Sequence, residues 1–210
     1  MKNQKRIRQL VLFSFFVAIE LVLMLTPIGY IPIGPIRATT MHLPVILAGI
    51  LLGPKWGAAL GAVFGFTSLI TNTFNPTITS FVFSPFITVG GIHGNFWSLL
   101  IVMGPRIFLG FFSGVLYRFL CKFIKQDTIA VMLSAAANTM IHTILVMGGI
   151  WVFFAQPYAQ ARQMTITEVW AFIIGVITTN GVMETIMAAI IIPVLVKALE
   201  PFKGRLGLDE

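Results

Sequence analysis

Long apolar stretches alternate along the chain with short segments rich in proline, glycine and polar residues. Residues 56–105 and 128–161 contain no Asp, Glu, Lys or Arg. Both stretches exceed the roughly 20 apolar residues that a membrane-spanning helix needs. Clusters of proline, glycine and polar residues divide the apolar sequence into six predicted helices. Their approximate ranges are 9–28, 40–53, 55–72, 97–122, 128–155 and 167–197.

The connections between the predicted helices are of two kinds. Three are long and rich in Pro, Gly, Ser, Thr and aromatic residues. They cover residues 29–39, 73–96 and 156–166. The other two are short, and one of them is Gly53-Pro54-Lys55. Pro54 has no N–H and disfavours helical angles at Gly53, so a tight turn is expected there. The pattern predicts a single six-helix, all-α integral membrane domain over residues 1–210.

Composition and charge support this interpretation. The chain is 57% hydrophobic and 10% charged, with a mean hydropathy of +0.94. Soluble domains carry about 25% charged residues, so a soluble domain is not expected. Six crossings place both termini and the two short turns on one side, and these segments hold 11 of the 14 Lys and Arg. The positive-inside rule makes that side cytoplasmic. No dense patch of basic and aromatic residues indicates nucleic-acid binding.

Polar residues inside the predicted helices indicate a ligand site, because such groups are costly in a membrane and usually functional. Arg106 lies roughly 15 Å below the outer end of the fourth helix, at about 1.5 Å per residue. Asn138 and His142 share one face of the fifth helix, and Asn180 and Glu184 share one face of the sixth. The five residues predict one polar cavity. A structural ion pair between Arg106 and Glu184 would leave the same pattern, and the sequence leaves both interpretations open.

A ladder of glycines with a four-residue period crosses the second and third predicted helices. Gly57, Gly61 and Gly65 share one face of the third helix, where small residues allow close helix packing in lipid. The ladder is not a phosphate-binding loop, because G-x-x-x-x-G-K-[ST] occurs nowhere in the chain. Neither H-E-x-x-H nor G-x-S-x-G occurs. No catalytic residue, metal site or ATPase site is predicted.

Residues 38–70, ATTMHLPVILAGILLGPKWGAALGAVFGFTSLI, resemble the substrate-binding (S) components of energy-coupling factor (ECF) vitamin transporters. Members of that family are six-helix membrane subunits of similar length. Within the family, the TTMH, LLGPK and TSLI segments look most like the pantothenate-specific members. The resemblance implies an ABC-type importer that binds a vitamin with high affinity from outside a prokaryotic cell. It also implies a multi-pass protein of the cell membrane.

The family resemblance also implies partners. Such subunits deliver the vitamin by docking on a shared module of one transmembrane coupling (T) subunit and two ATPases. ATP is used by those ATPases, and the resemblance implies no cofactor in this chain. Docking in the family involves a small-xxx-small motif on the first helix, and the matching positions here are Ser14 and Ala18. Ordinary packing within the chain would leave the same motif.

Pantothenate offers a carboxylate, an amide and two hydroxyls, and the predicted cavity has groups to match them. Arg106 suits the carboxylate, because a guanidinium donates two parallel hydrogen bonds to it. Asn138 and Asn180 suit the amide and the hydroxyls, and His142 either donates or accepts. Glu184 either holds Arg106 in position or accepts from a hydroxyl.

The long outer connections supply predicted lid residues, namely Asn75, Asn95 and Trp97. Aromatic residues there either cover the ligand or anchor the protein at the membrane interface, and both stay open. Other ligands also stay open, including riboflavin, a thiamin precursor and a queuosine precursor. A self-contained secondary carrier or channel is a further alternative class.

Overall fold

The computed structural model of the chain describes residues 2–26, 29–33 and 36–200. The described part does not include residues 201–210, the C-terminal segment predicted to be cytoplasmic. It also does not include the side chain of Arg37. The helices are α1 (Lys2–Leu25), α2 (His42–Leu52), α3 (Pro54–Phe74), α4 (Phe96–Leu120), α5 (Asp127–Arg162), α6 (Ile166–Val176) and α7 (Val182–Leu199). The strands are β1 (Tyr30–Ile33), β2 (Ile36–Thr39), β3 (Thr88–Val89) and β4 (Ile92–His93).

Helices make up most of the described chain, which confirms the predicted all-α class. Within the described ranges, five helices are long and apolar enough to cross a membrane, and α6 and α7 together form one of them. The helix α2 has 11 residues, of which ten are buried. At about 1.5 Å per residue it is shorter than the roughly 30 Å hydrocarbon core. Two points stay predictions: that the chain crosses the membrane six times, and that its termini lie on the cytoplasmic side.

The helix α5 extends beyond its predicted end near residue 155 and stops at Arg162. Pro157 lies inside it, although proline removes a helical hydrogen bond. Tyr158 and Ala159 are buried in an apolar cluster with Phe154 of α5 and Val169 of α6, and this packing holds the last turns in helical form. Gln163 adopts a left-handed conformation with φ 54° and ends the helix. The long connection predicted at 156–166 is therefore wrong, and only residues 163–165 join α5 to α6.

The other two long connections contain short antiparallel hairpins. In the first, β1 pairs with β2, and Tyr30 lies opposite Thr39. In the second, a 3₁₀ turn at Ser80–Val82 precedes the pair β3 and β4. The sixth predicted helix is interrupted at Ile177–Gly181 by a π-helical segment, a feature that often accompanies functional sites.

The glycines of α3 pack directly on α4. A Cβ at Gly57 would overlap the carbonyl oxygen of Gly110, and one at Gly61 would overlap the carbonyl oxygen of Arg106. A Cβ at Gly65 would lie 3.0 Å from the carbonyl oxygen of Val102. The two backbones therefore touch along three turns, as small residues allow in membrane helices. This contact fixes the backbone of Arg106 against α3.

Candidate ligand-binding site

A cavity of about 470 Å³ opens between α3, the segment after it, α4, α5 and α6. This volume falls within the range of small-molecule sites, about 300 to 1,000 Å³. Its polar lining follows one face of α3 and continues into the next segment. These residues are Ser68, Thr71, Asn72, Asn75, Thr77 and Thr79. Apolar side chains from α5 and α6 face them, among them Ile150, Phe172 and Val176.

The cavity carries positive charge. Arg106 and Arg162 both line it, and no Asp or Glu is found among the described lining residues. A cleft of one charge sign raises the local concentration of ligands of the opposite sign. The remaining lining groups are hydroxyls, amides, aromatic rings and aliphatic side chains. The arrangement therefore suits a small anion that also carries hydroxyl or amide groups.

Arg106 provides the buried cation of this cavity. Its side chain is only 7% exposed, and Nη1 donates a 2.7 Å hydrogen bond to the carbonyl oxygen of Ile101. The guanidinium carbon lies 5.6 Å from the ring centre of Phe64 and 5.5 Å from that of Phe83. Cation–π contacts at such distances stabilise a guanidinium that has left water. The side chain is thus held in place before a ligand arrives.

Asn72 connects α3 to the segment that follows it through hydrogen bonds. Its Nδ2 donates to the carbonyl oxygen of Ser68 at 2.8 Å, and its Oδ1 accepts from Ser80 Oγ at 2.8 Å. The Ser80 hydroxyl also accepts from the backbone N–H of Thr77, again at 2.8 Å. A second anchor is the 2.7 Å bond from Ser98 Oγ to the Phe81 carbonyl oxygen. The segment that carries Thr77 and Thr79 is therefore fixed beside the cavity.

The structure separates the eight sequence-predicted site residues into those that line the cavity and those that do not. Arg106 and Asn75 line the cavity of the described structure, whereas the other six do not. Asn138 and His142 are buried deeper in α5, and His142 lies within electrostatic range of Arg106. Nδ2 of Asn138 bonds to the carbonyl oxygen of Ser134 in its own helix, at 2.7 Å. Asn180 is half-buried in the π-helical segment.

Glu184 contacts the first hairpin. Its Oε1 accepts a 2.8 Å hydrogen bond from the backbone N–H of Thr39, the last residue of β2. Thr39 itself lines the cavity. Glu184 is buried and lies within electrostatic range of Arg106. The structure therefore places this carboxylate behind the lining, where it positions Thr39.

Asn95 and Trp97 lie at the start of α4. The Asn95 side chain accepts from the backbone N–H of Trp97 at 2.9 Å, and Ser98 Oγ accepts from the backbone N–H of Asn95 at 3.0 Å. The spacing N-x-x-S is a capping pattern that the sequence already contains. Trp97 stacks on Phe153 with ring centres 4.1 Å apart. Both residues fix the first turn of α4, and neither is among the described residues that line the cavity.

Sequence reasoning missed much of the polar lining. Ser68, Thr71 and Asn72 were missed, although together with the predicted Asn75 they follow the spacing i, i+3, i+4, i+7 of one helix face. That spacing predicts a polar face on α3. Tyr158 and Arg162 were missed for another reason, because the sequence interpretation ended the fifth helix before Pro157.

The chain belongs to the substrate-specific components of ECF transporters. The model of that family matches residues 8–196. The fold agrees with this, since the crystal structure of the S component for biotin from an ECF-type ABC transporter superposes with a TM-score of 0.51. The alignment covers 94% of this chain and 95% of that one at 18% identity. The chain is thus a multi-pass prokaryotic membrane protein.

Two relatives carry more specific names. The pantothenic acid transporter PanT of Lactococcus lactis subsp. cremoris is 35% identical over 192 residues, covering 90% of this chain and 91% of that protein. The pantothenate transporter PanT of Leuconostoc mesenteroides subsp. mesenteroides is 26% identical over 219 residues, covering 99% of each.

Proposed function

We propose that the chain is a high-affinity S component that binds pantothenate from outside the cell. The observation that carries this proposal is the cavity with two arginines and no described acidic lining residue. Pantothenate is a small anion with hydroxyl and amide groups, so it matches both the charge and the lining. The names of the two PanT relatives support the same ligand.

The cavity suggests a role for each end of such a ligand. Arg106 binds the carboxylate in the deep part, where removal from water strengthens a charge-assisted hydrogen bond. Thr71, Asn75 and Thr79 exchange hydrogen bonds with the hydroxyls and the amide. The methyl groups of the ligand pack on apolar side chains such as Ile150. Asn138, His142, Asn180 and Glu184 hold the surrounding helices and the hairpin in position.

Delivery of the ligand requires partners. We propose that the chain has six membrane helices with cytoplasmic termini, and that it docks on a T subunit with two ATPases. ATP is then consumed by those subunits, and this chain acts as a binding subunit without its own catalytic or ATPase site.

Native mass spectrometry of the purified full-length protein tests the ligand. We expect a released small molecule with the mass of pantothenate, or a mass shift of that size after pantothenate is added. The reason is that an S component retains its vitamin until it meets the coupling module. A flavin, a thiamin precursor or a queuosine precursor at the same stoichiometry would contradict the assignment.

Docking gives a second test. Ser14 and Ala18 lie on the exposed face of α1, one turn apart. Ala18→Leu, or Ser14→Leu, should abolish pantothenate uptake by cells that contain the coupling module, because a larger side chain separates the packed helices. Pantothenate binding to the purified variant should not change. Ala171→Leu, on the exposed face of α6, is the matched control and should preserve uptake. Normal uptake by Ala18→Leu and by Ser14→Leu would remove these residues from the docking surface.

A further inference from the structure

The cavity has a second cation at its open end. Arg162 is the last residue of α5, and its side chain is exposed. The guanidinium carbon lies 5.9 Å from the ring centre of Tyr158 and 5.4 Å from that of Phe172. Both rings line the cavity. Arg162 is therefore held over the cavity instead of extending freely from the helix end.

The two arginines occupy opposite ends of the cavity. Arg106 is buried beside Phe64, whose ring packs against His142 of α5, and Met147 is the cavity-lining residue of α5 that follows His142 most closely in sequence. Arg162 follows Met147 by 15 residues in α5. At about 1.5 Å per residue, that separation corresponds to roughly 22 Å along the helix axis. The two guanidinium groups therefore lie at different levels of the cavity, one packed on Phe64 and the other on Tyr158.

Arg162 is available to a ligand. Within the described ranges its guanidinium contacts the rings of Tyr158 and Phe172, and no carboxylate pairs with it. The acid nearest to it in the sequence, Glu168, caps the start of α6, where its Oε2 accepts from the backbone N–H and the hydroxyl of Thr165 at 2.7 Å and 2.8 Å. A guanidinium that packs on an aromatic face keeps its in-plane N–H donors accessible, so an anion can still bind to it.

We propose that Arg162, held by Tyr158 and Phe172, forms an outer carboxylate subsite that captures the anionic ligand before it reaches Arg106. The inference rests on the proposed function and adds a step to it. The exposed cation sets the rate of association, and the buried cation sets the lifetime of the complex. This division follows from electrostatics, because exposed charges act mainly on encounter and buried pairs act mainly on dissociation.

Binding kinetics of the full chain with pantothenate test the outer subsite. Arg162→Gln should lower the association rate constant about tenfold at low ionic strength, a typical size for electrostatic steering. The difference should vanish near 1 M salt, where the Debye length is about 3 Å. The dissociation rate constant should change less than about fivefold, as for other exposed ion pairs. Arg162→Lys keeps the charge and should restore most of the association rate.

Two controls separate this inference from the proposed function. The alcohol analogue of pantothenate, in which a hydroxymethyl group replaces the carboxylate, should associate equally fast with the wild type and Arg162→Gln. Lys125→Gln removes an exposed charge two residues before the start of α5 and should leave the rates unchanged. An unchanged association rate in Arg162→Gln, or an equal loss with the alcohol, would overturn the subsite alone. Absence of pantothenate binding to the wild type would overturn both proposals.

Discussion

Gly57→Ala is expected to destabilise the folded protein severely, although alanine is the better helix former. The new Cβ would overlap the carbonyl oxygen of Gly110 and lie 2.7 Å from the Cα of Gly49. Both obstacles are backbone atoms, so no side-chain rotation relieves them, and α3 must move away from both α4 and α2. Overpacking of this kind costs about 1–3 kcal/mol or more. We expect the melting temperature of the purified protein to fall by about 10 °C.

Gly148→Ala is the matched control for this experiment. Gly148 lies inside α5, and a Cβ there would meet no atom of the described residues within 4 Å. The intrinsic gain in helix propensity, about 1 kcal/mol, is the same at both positions. Gly148→Ala should therefore leave the melting temperature unchanged or raise it slightly. Equal melting temperatures for Gly57→Ala and Gly148→Ala would show that α3 and α4 are not in backbone contact.

Elements bounded by strong local signals were predictable from the sequence. The turn at Gly53-Pro54 separates α2 from α3 as predicted, with Gly53 at φ 98° and Pro54 in the first turn of α3. The start of α4 at Phe96 also lies within one residue of its prediction. The first signal is the backbone restriction at proline and the second is a side-chain cap at Asn95, and both act locally without knowledge of neighbouring helices.

The end of α5 shows where local signals fail. Proline inside a helix normally ends or bends it, because one hydrogen bond is lost. Here the following turn is held by burial of Tyr158 against α6, a contact between residues that no local pattern specifies. Tertiary packing therefore outweighs the local cost. The consequence is functional, since the extra turns bring Arg162 to the cavity.

The candidate site was predictable only in part, for a similar reason. Helical spacing identifies which residues share a face, but not whether that face meets a cavity, a neighbouring helix or the residue's own backbone. Asn138 was predicted as a ligand group, yet its amide nitrogen bonds to Ser134 one turn earlier. Arg106 was identifiable because a cation deep inside a membrane helix is costly and usually faces a cavity or a partner.

Arg106 is the residue on which the proposed ligand site depends most. Its guanidinium is buried, contacts the rings of Phe64 and Phe83, and donates a hydrogen bond to the Ile101 carbonyl oxygen. A carboxylate that pairs with it does so in a medium of low dielectric constant, where the interaction is strong. Loss of one member of a buried charge pair costs about 2–5 kcal/mol, partly because the other charge is left unpaired.

Arg106→Gln is therefore expected to weaken pantothenate binding by about 100-fold or more, which isothermal titration of the purified protein measures directly. The alcohol analogue should bind the wild type and the variant with similar affinity, because it has no carboxylate to lose a partner. Arg37→Ala, which removes a cation from β2, should change pantothenate affinity far less. An unchanged melting temperature for Arg106→Gln shows that the loss arises at the site. If Arg106→Gln and Arg37→Ala both changed pantothenate affinity only slightly, Arg106 would not belong to the ligand site. Its role would then be structural, between α3 and α4.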